Sequence, residues 1–267
     1  MSAVSLNNGW LLVVGHAGLL GKHFTEFALS QGKSIIGLDK NKIAVSDKFS
    51  EKILQFKVDL SDESTVNKVA CEARRRGLQI SGLLYLAARD AKISELNYGY
   101  NLHDQPHKEI LDTFAVGTLG AFSTIRAFDS SFSDSTSIIL VGSDLSLISP
   151  NQDLYCVCGS PSRAHQPSCR VKPVGYSLDK TAMIGLTRYL ATFFAKDERD
   201  IRVNCLCIGA VDNNFNEEFR DKISRFIPMR RLAHIEEYNE VFLNYLENCP
   251  KYQTGSVIVV DGGRTIL

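Results

Sequence analysis

Gly15, Gly18 and Gly21 restrict the fold of this chain more than any other feature. They follow a short apolar run, Trp10-Leu-Leu-Val-Val-Gly15, and lead into a helical pattern from Leu19 to Ser30. The run predicts a buried strand. Glycines at this spacing permit a tight turn, close approach of backbone to a pyrophosphate, and close packing of helix on strand. The helix N-terminus then offers unpaired N–H groups to the anion. The spacing alone is weak evidence, but its place between a strand and a helix is informative.

The remaining chain repeats the alternation. Ser34–Asp39 predicts a second strand, ending in an acid about 20 residues beyond the glycine turn, where a carboxylate meets an adenosine ribose. Ile53–Leu60 predicts a third strand, and Ser61 caps a helix running to about Gly77. Ser81–Ala88, Thr136–Ser143, Ile201–Gly209 and Ser256–Gly263 predict further strands. Helical patterns fill 108–128, 176–196, 213–225 and 234–246. Strand–helix alternation of this kind implies an α/β fold: a doubly wound parallel sheet of about seven strands with helices on both faces. No linker or internal repeat divides the 267 residues, so the expectation is one domain with an insertion at 147–175.

Composition excludes several classes. The formal charge is zero, which argues against nucleic acid or a membrane surface as partner. No apolar run is long enough to span a bilayer, and no secretory pattern opens the sequence, so the expected location is the cytoplasm. The seven Cys are then reduced thiols, with Cys205 and Cys207 as small core residues. Cys156, Cys158, His165 and Cys169 have the chemistry of a zinc site, but their spacing is not the usual one, and scattered thiols with no metal is the favoured reading.

Tyr176-Ser-Leu-Asp-Lys180 carries the chemistry. On a helix, side chains four residues apart share a face. An ammonium beside a phenol favours the phenolate and brings a strong acid/base towards working pH. Ser143 ends the fifth strand, at the sheet edge where ligands bind in such folds.

With these residues in place, the sequence resembles the short-chain dehydrogenase/reductase family over almost its whole length. Ser143, Tyr176 and Lys180 fall on the family's catalytic Ser, Tyr and Lys. Arg202-Val203-Asn204 and the stretch Thr254–Gly263 match its C-terminal half. The resemblance implies a Rossmann fold and reversible hydride transfer between a nicotinamide and a carbonyl or alcohol carbon. It implies cofactor contacts from Gly15, His16, Ala17, Gly18, Leu19, Leu20, Gly21, Asp39, Lys40, Asp59, Leu60, Ala87, Ala88, Tyr176, Lys180, Gly209 and Val211. Asp59 matches the acid that contacts adenine, and Lys180 matches the residue that holds the nicotinamide ribose. Asp39 favours NAD over NADP, because its carboxylate repels a 2′-phosphate. The family also implies a homodimer or homotetramer, paired through the helices at 108–128 and 176–196.

Weaker similarity of Ser149–Tyr155, Lys172–Tyr176 and Gly185–Ala191 to members of bacterial surface-sugar and nonulosonic-acid pathways hints at a sugar substrate. The long stretch between Ser143 and Tyr176 carries Arg163, His165, Arg170 and Lys172. Arg163 and Arg170 are therefore candidate contacts for an anionic substrate. Three positions depart from the family pattern. Leu86-Ala87-Ala88-Arg89 replaces Asn-Asn-Ala-Gly, Gly117 replaces a proton-relaying Asn, and Ile208-Gly209 replaces Pro-Gly. These departures keep a second reading open: a catalytically impaired dinucleotide-binding sensor or a structural subunit of a complex. On the enzyme reading, water or another group fills the space at Gly117, and Gly117→Asn leaves turnover similar or modestly higher.

Overall fold

A computed structural model describes residues 9–90, 102–155, 171–196 and 198–267. Its centre is a seven-stranded sheet: β1 (Trp10–Val14), β2 (Ile35–Asp39), β3 (Ile53–Lys57), β4 (Ile80–Tyr85), β5 (Phe132–Ser143), β6 (Asp200–Ile208) and β7 (Val257–Val260). The order is β3-β2-β1-β4-β5-β6-β7, and every pairing is parallel. A parallel sheet covered on both faces needs strands that are apolar throughout. That is why β1 reads as an unbroken apolar run, β4 is interrupted only by Ser81 and Gly82, and both are buried nearly end to end.

The helices are α1 (Leu19–Ser30), α2 (Glu63–Arg75), α3 (His107–Val116), α4 (Thr118–Phe128), α5 (Val174–Phe194), α6 (Glu217–Ser224) and α7 (Glu237–Glu247). One face of the sheet packs under α2, α4 and α5, through Val66, Ile125, Phe128, Met183 and Phe194. The other packs under α1 and α7, through Phe24, Leu29, Tyr238 and Phe242. Between β1 and β4 the chain reverses its direction of progress across the sheet, opening a crevice at the carboxyl ends of the strands. A third apolar cluster joins α6 to the segment after β5, through Leu154, Ile223, Ile227 and Leu232.

The structure alters several boundaries expected from the sequence. The single helix expected over 108–128 is two helices, because Gly117 leaves the helical region with ψ −99°. Asp62, not Ser61, caps α2, accepting from Ser64 N–H. The two helices after β6 are shorter than their patterns, and an isolated bridge joins Val211, ahead of α6, to Ala233, ahead of α7.

Candidate active site

The crevice is a cleft of about 480 Å³ running from Asp39, Lys40 and Asn41 past the glycine turn to Tyr176, Lys180 and Ile208. Its near wall exists because of two glycines. Gly15 has φ +85°, and a Cβ there would sit 2.8 Å from Ala87 N, so only glycine lets the turn lie against the end of β4. At Gly21 a Cβ would sit 2.0 Å from Gly15 O, which is how α1 packs onto that turn. The α1 N-terminus has no side-chain cap and no acid in its first turn, leaving N–H groups open to an anion.

The expected cofactor residues divide into two groups. Gly15, Gly18, Leu19, Leu20, Gly21, Asp39, Lys40, Leu60, Ala87, Ala88, Tyr176 and Lys180 all line the cleft. His16 does not: its ring is buried beneath Gly37 and bonds Gln55 Oε1 at 2.9 Å. The side chain after Gly15 turns inward to fill the space Gly37 leaves, so His16 is a packing residue. Ala17 contributes its N–H to Asp39 Oδ2 at 3.2 Å, fixing the acid's orientation. Lys40 Nζ lies 3.0 Å from Asp59 Oδ2, so its charge is directed to Asp59 and away from Asp39. Hydrogen bonds from Ser61, with Lys40 nearby, hold the Asp59 carboxyl below its ordinary range. Gly209 lines a separate, smaller cavity together with Asp261 and Arg231. Val211 lies in the bridge to Ala233 and lines neither space. Arg163, Arg170 and the cysteine–histidine cluster at 156–169 lie outside the described residues. Among those described, no group of His, Cys, Asp or Glu forms a metal site.

The Ser, Tyr and Lys do converge. β5 delivers Ser143, and α5 delivers Tyr176 and Lys180 one turn apart. Lys180 Nζ donates to Val141 O at 2.8 Å and lies 5.9 Å from the Tyr176 ring centroid. The electrostatics differ from expectation. Burial, followed by the Asp90 carboxylate, pushes the Tyr176 phenol well above its ordinary value, and the neighbouring Ser143 hydroxyl offsets part of this. Lys180 is itself buried, which favours its neutral form. Desolvation outweighs the expected pull of the ammonium on the phenol.

Four further residues shape the site without having been singled out as functional. Ser143 Oγ donates to Asp144 Oδ1 at 2.8 Å, and Asp144 Oδ2 meets Arg264 Nη1 at 2.7 Å in a fully enclosed ion pair. Lys172 Nζ lies 4.2 Å from the Tyr176 ring centroid and contacts both Asp90 carboxylate oxygens at 2.7 Å.

Gly117 is not a void. A Cβ there would lie 2.0 Å from Asp179 Oδ2, because the buried Asp179 carboxylate occupies the space. Asp179 Oδ1 accepts from Thr118 N at 2.8 Å and Thr118 Oγ1 at 2.7 Å, capping α4 from across the helix interface. Since α4 has no cap of its own, this acid ties the α3–α4 break to the turn of α5 that carries Lys180. The expectation for Gly117→Asn is therefore corrected: an added side chain meets a carboxylate, not open space.

Two family profiles match different parts of the sequence. The family described as Enoyl-(Acyl carrier protein) reductase matches residues 166–265, and the NAD dependent epimerase/dehydratase family matches 11–76. Dehydrogenase/reductase SDR family member 4 of Sus scrofa is 32% identical over 106 residues, covering 38% of this chain and 37% of the relative. Oxidoreductase UcpA of Escherichia coli K12 is 34% identical over 103 residues, covering 34% of this chain and 38% of the relative. The matched stretches thus span under two-fifths of these relatives' own length. Solved structures align throughout. A short chain dehydrogenase from Leptospira borgpetersenii with bound NAD+ has TM-score 0.82 and 18% identity, covering 99% of this chain and 98% of that one. A short chain dehydrogenase family protein from Francisella tularensis has TM-score 0.79 and 21% identity, covering 97% and 99%. At such identities the structures speak for the fold alone. The sheet order, the glycine turn, the Ser–Tyr–Lys convergence and the two matched profiles together make the chain similar to the short-chain dehydrogenases/reductases, whose solved structures share its fold.

Proposed function

We propose that the protein is a nicotinamide-dependent oxidoreductase acting on a carbonyl or alcohol carbon. The observation that carries this reading is the single cleft whose lining runs from Asp39 through the glycine turn to Tyr176 and Lys180. A dinucleotide fits that lining. The open α1 N-terminus suits its pyrophosphate, Asp39 suits an adenosine ribose, and Lys180 suits the ribose at the nicotinamide end. When bound, the cofactor supplies or accepts the hydride. The protein's part is then proton transfer and positioning. Tyr176 Oη donates its proton to the substrate oxygen during reduction and recovers it during oxidation. The Ser143 hydroxyl, which donates to Asp144 Oδ1 in this structure, turns to donate to that oxygen when substrate is bound. Lys180 is held in place through Val141 O.

Asp39, with Lys40 turned to Asp59, supports NAD as the preferred cofactor. The Leptospira relative carries NAD+ in its crystal structure. Support for an anionic, sugar-like substrate comes from a pocket of about 400 Å³ after β6, lined by Arg220, Arg225, Arg230, Arg231 and His234 alongside Asp212 and Asp221. Arg220 Nε is buried there without an acceptor, and the Arg225 guanidinium has no ion-pair partner among the described residues. This pocket shares Arg231 with the cavity at Gly209.

The test is Tyr176→Phe. Turnover of a carbonyl substrate should fall about 10²–10⁴-fold, while NADH binding, read by fluorescence quenching, stays unchanged. Equal rates for wild type and variant would remove Tyr176 as proton donor. The second reading, a dinucleotide-binding subunit without turnover, draws support from the raised Tyr176 pKa and the altered 86–89 stretch. NADH binding with no turnover across a panel of phosphorylated, carboxylated and neutral sugars would favour it.

A further inference from the structure

Tyr176 has a second cation on it besides Lys180. Lys172 Nζ lies 4.2 Å from the Tyr176 ring centroid and 6.0 Å from that of Tyr155. Its side chain is only 11% exposed, against 48% for Asp90, which contacts it through both carboxylate oxygens. Lys172 is not a loose surface lysine. Its backbone N–H donates to Gln152 Oε1 at 2.9 Å, and the N–H of Val174 donates to Gln105 Oε1 at 2.7 Å. These bonds fix the short segment that enters α5. On the other side, Arg89 meets Glu109 and Asp112 of α3, which anchors the chain just before Asp90. Two anchored segments from distant parts of the sequence thus bring one carboxylate and one ammonium to the same phenol, and Asp90 also lines the cofactor cleft.

We infer that Asp90 and Lys172 are paired positioning residues that set the proton affinity of Tyr176, acting as opposed charges whose balance decides how readily the phenol gives up its proton. The proposal rests on the reading of Tyr176 as the acid/base. Its physics is direct. A cation at the ring favours the phenolate, and a carboxylate nearby disfavours it. The other groups facing Tyr176 are Lys180 on its own helix, the Ser143 hydroxyl and Asp144 at the end of β5, and the Tyr155 phenol. Asp144, which also raises the phenol's pKa, is locked in an ion pair with Arg264, and Lys180 is held by Val141 O. The Asp90–Lys172 pair is therefore the one whose balance a single substitution changes without dismantling Ser143, Tyr176 or Lys180. Burial of Lys172 strengthens its side of the balance, because a charge out of water is poorly screened, while the half-exposed Asp90 acts through water to a greater extent.

Each substitution has a sign. Asp90→Asn leaves Lys172 unopposed, so the Tyr176 pKa falls. Lys172→Met leaves Asp90 unopposed, so it rises. The double variant restores neutrality and returns towards wild type, and Lys172→Arg, which keeps the charge, does the same. The experiment is the pH profile of kcat/KM with NAD(H) and a turned-over substrate, for wild type and all four variants. We expect the Tyr176 limb to move by about one unit in opposite directions for the two single variants. A limb unmoved in both, or moved the same way in both, overturns the proposal. A substrate-free measurement runs in parallel: tyrosinate absorbance near 295 nm, with the Tyr176 contribution isolated by subtracting the matching Tyr176→Phe protein. That contribution should emerge at lower pH in Asp90→Asn than in Lys172→Met, and coincident or reversed curves overturn the proposal. If Tyr176→Phe keeps its full rate while the spectroscopic order holds, the acid/base reading fails and the electrostatic coupling stands.

Discussion

Gly117→Asn tests the geometry most directly, because two residues far apart in sequence occupy one space. A Cβ at 117 would lie 2.0 Å from Asp179 Oδ2 and 2.3 Å from Oδ1. The carboxylate cannot retreat freely, since its Oδ1 takes both the N–H and the hydroxyl of Thr118. Losing hydrogen bonds to a charged group costs about 1.5–3 kcal/mol each, and overpacking a filled site costs about 1–3 kcal/mol. Partial relaxation of the break between α3 and α4 recovers some of this, leaving a net loss of roughly 3–5 kcal/mol, a large share of the stability of a typical domain. For a chain of this size that lowers Tm by roughly 10 °C. The assay is thermal and urea unfolding followed by circular dichroism. Asp179→Ala empties the space, so Gly117→Asn combined with Asp179→Ala should be less damaging than the sum of its parts, by about 1–3 kcal/mol. A Gly117→Asn protein as stable as wild type, or strictly additive effects, would refute the shared-space argument.

Three other outcomes follow from the same structure. Arg264→Ala strands the enclosed Asp144 carboxylate and should cost about 3–5 kcal/mol in urea unfolding; a loss under 1 kcal/mol would show that water reaches Asp144. Burial, opposed by Thr118 and Lys180, raises the Asp179 pKa, so the folded state holds that proton more tightly than the unfolded chain. The stability this confers is full below the ordinary value of 3.8 and is lost as pH rises through the raised one. Asp179→Asn should therefore gain in Tm relative to wild type between about pH 4 and 7, and a relative loss over that window contradicts the assignment. On the proposed preference for NAD, Asp39→Ala should lower the ratio of NADH to NADPH affinity about tenfold in binding titrations, and an unchanged ratio would contradict the role given to Asp39.

What was legible in the sequence was local. The glycine turn, the apolar strands and the one-turn spacing of Tyr176 and Lys180 are short patterns whose structural meaning is set by backbone geometry. The sheet follows from their alternation, and all seven strands fall within a few residues of where periodicity puts them. His16 shows the limit of this reasoning. It sits inside the glycine motif, yet its ring turns away from the cleft because Gly37, on the neighbouring strand, leaves room for it. No pattern in either segment records that exchange.

The departures from the family pattern have the same character, and this changes what they mean. Read singly, Gly117 is a missing side chain and Asp179 an acid of no evident purpose beside a lysine. Together they are an exchange of volume: the glycine makes room, and the acid fills it and caps α4. Arg89, where the family has glycine, likewise finds Glu109 and Asp112 on α3 and anchors the chain ahead of Asp90, which in turn meets Lys172 over Tyr176. A site in decay leaves charges without partners, because nothing selects the second half of each pair. Here positions 117 and 89 carry complementary partners contributed by other segments. That pattern fits a site rebuilt around Tyr176, Lys180 and Ser143 better than one abandoned, and it favours the oxidoreductase over the silent binding subunit.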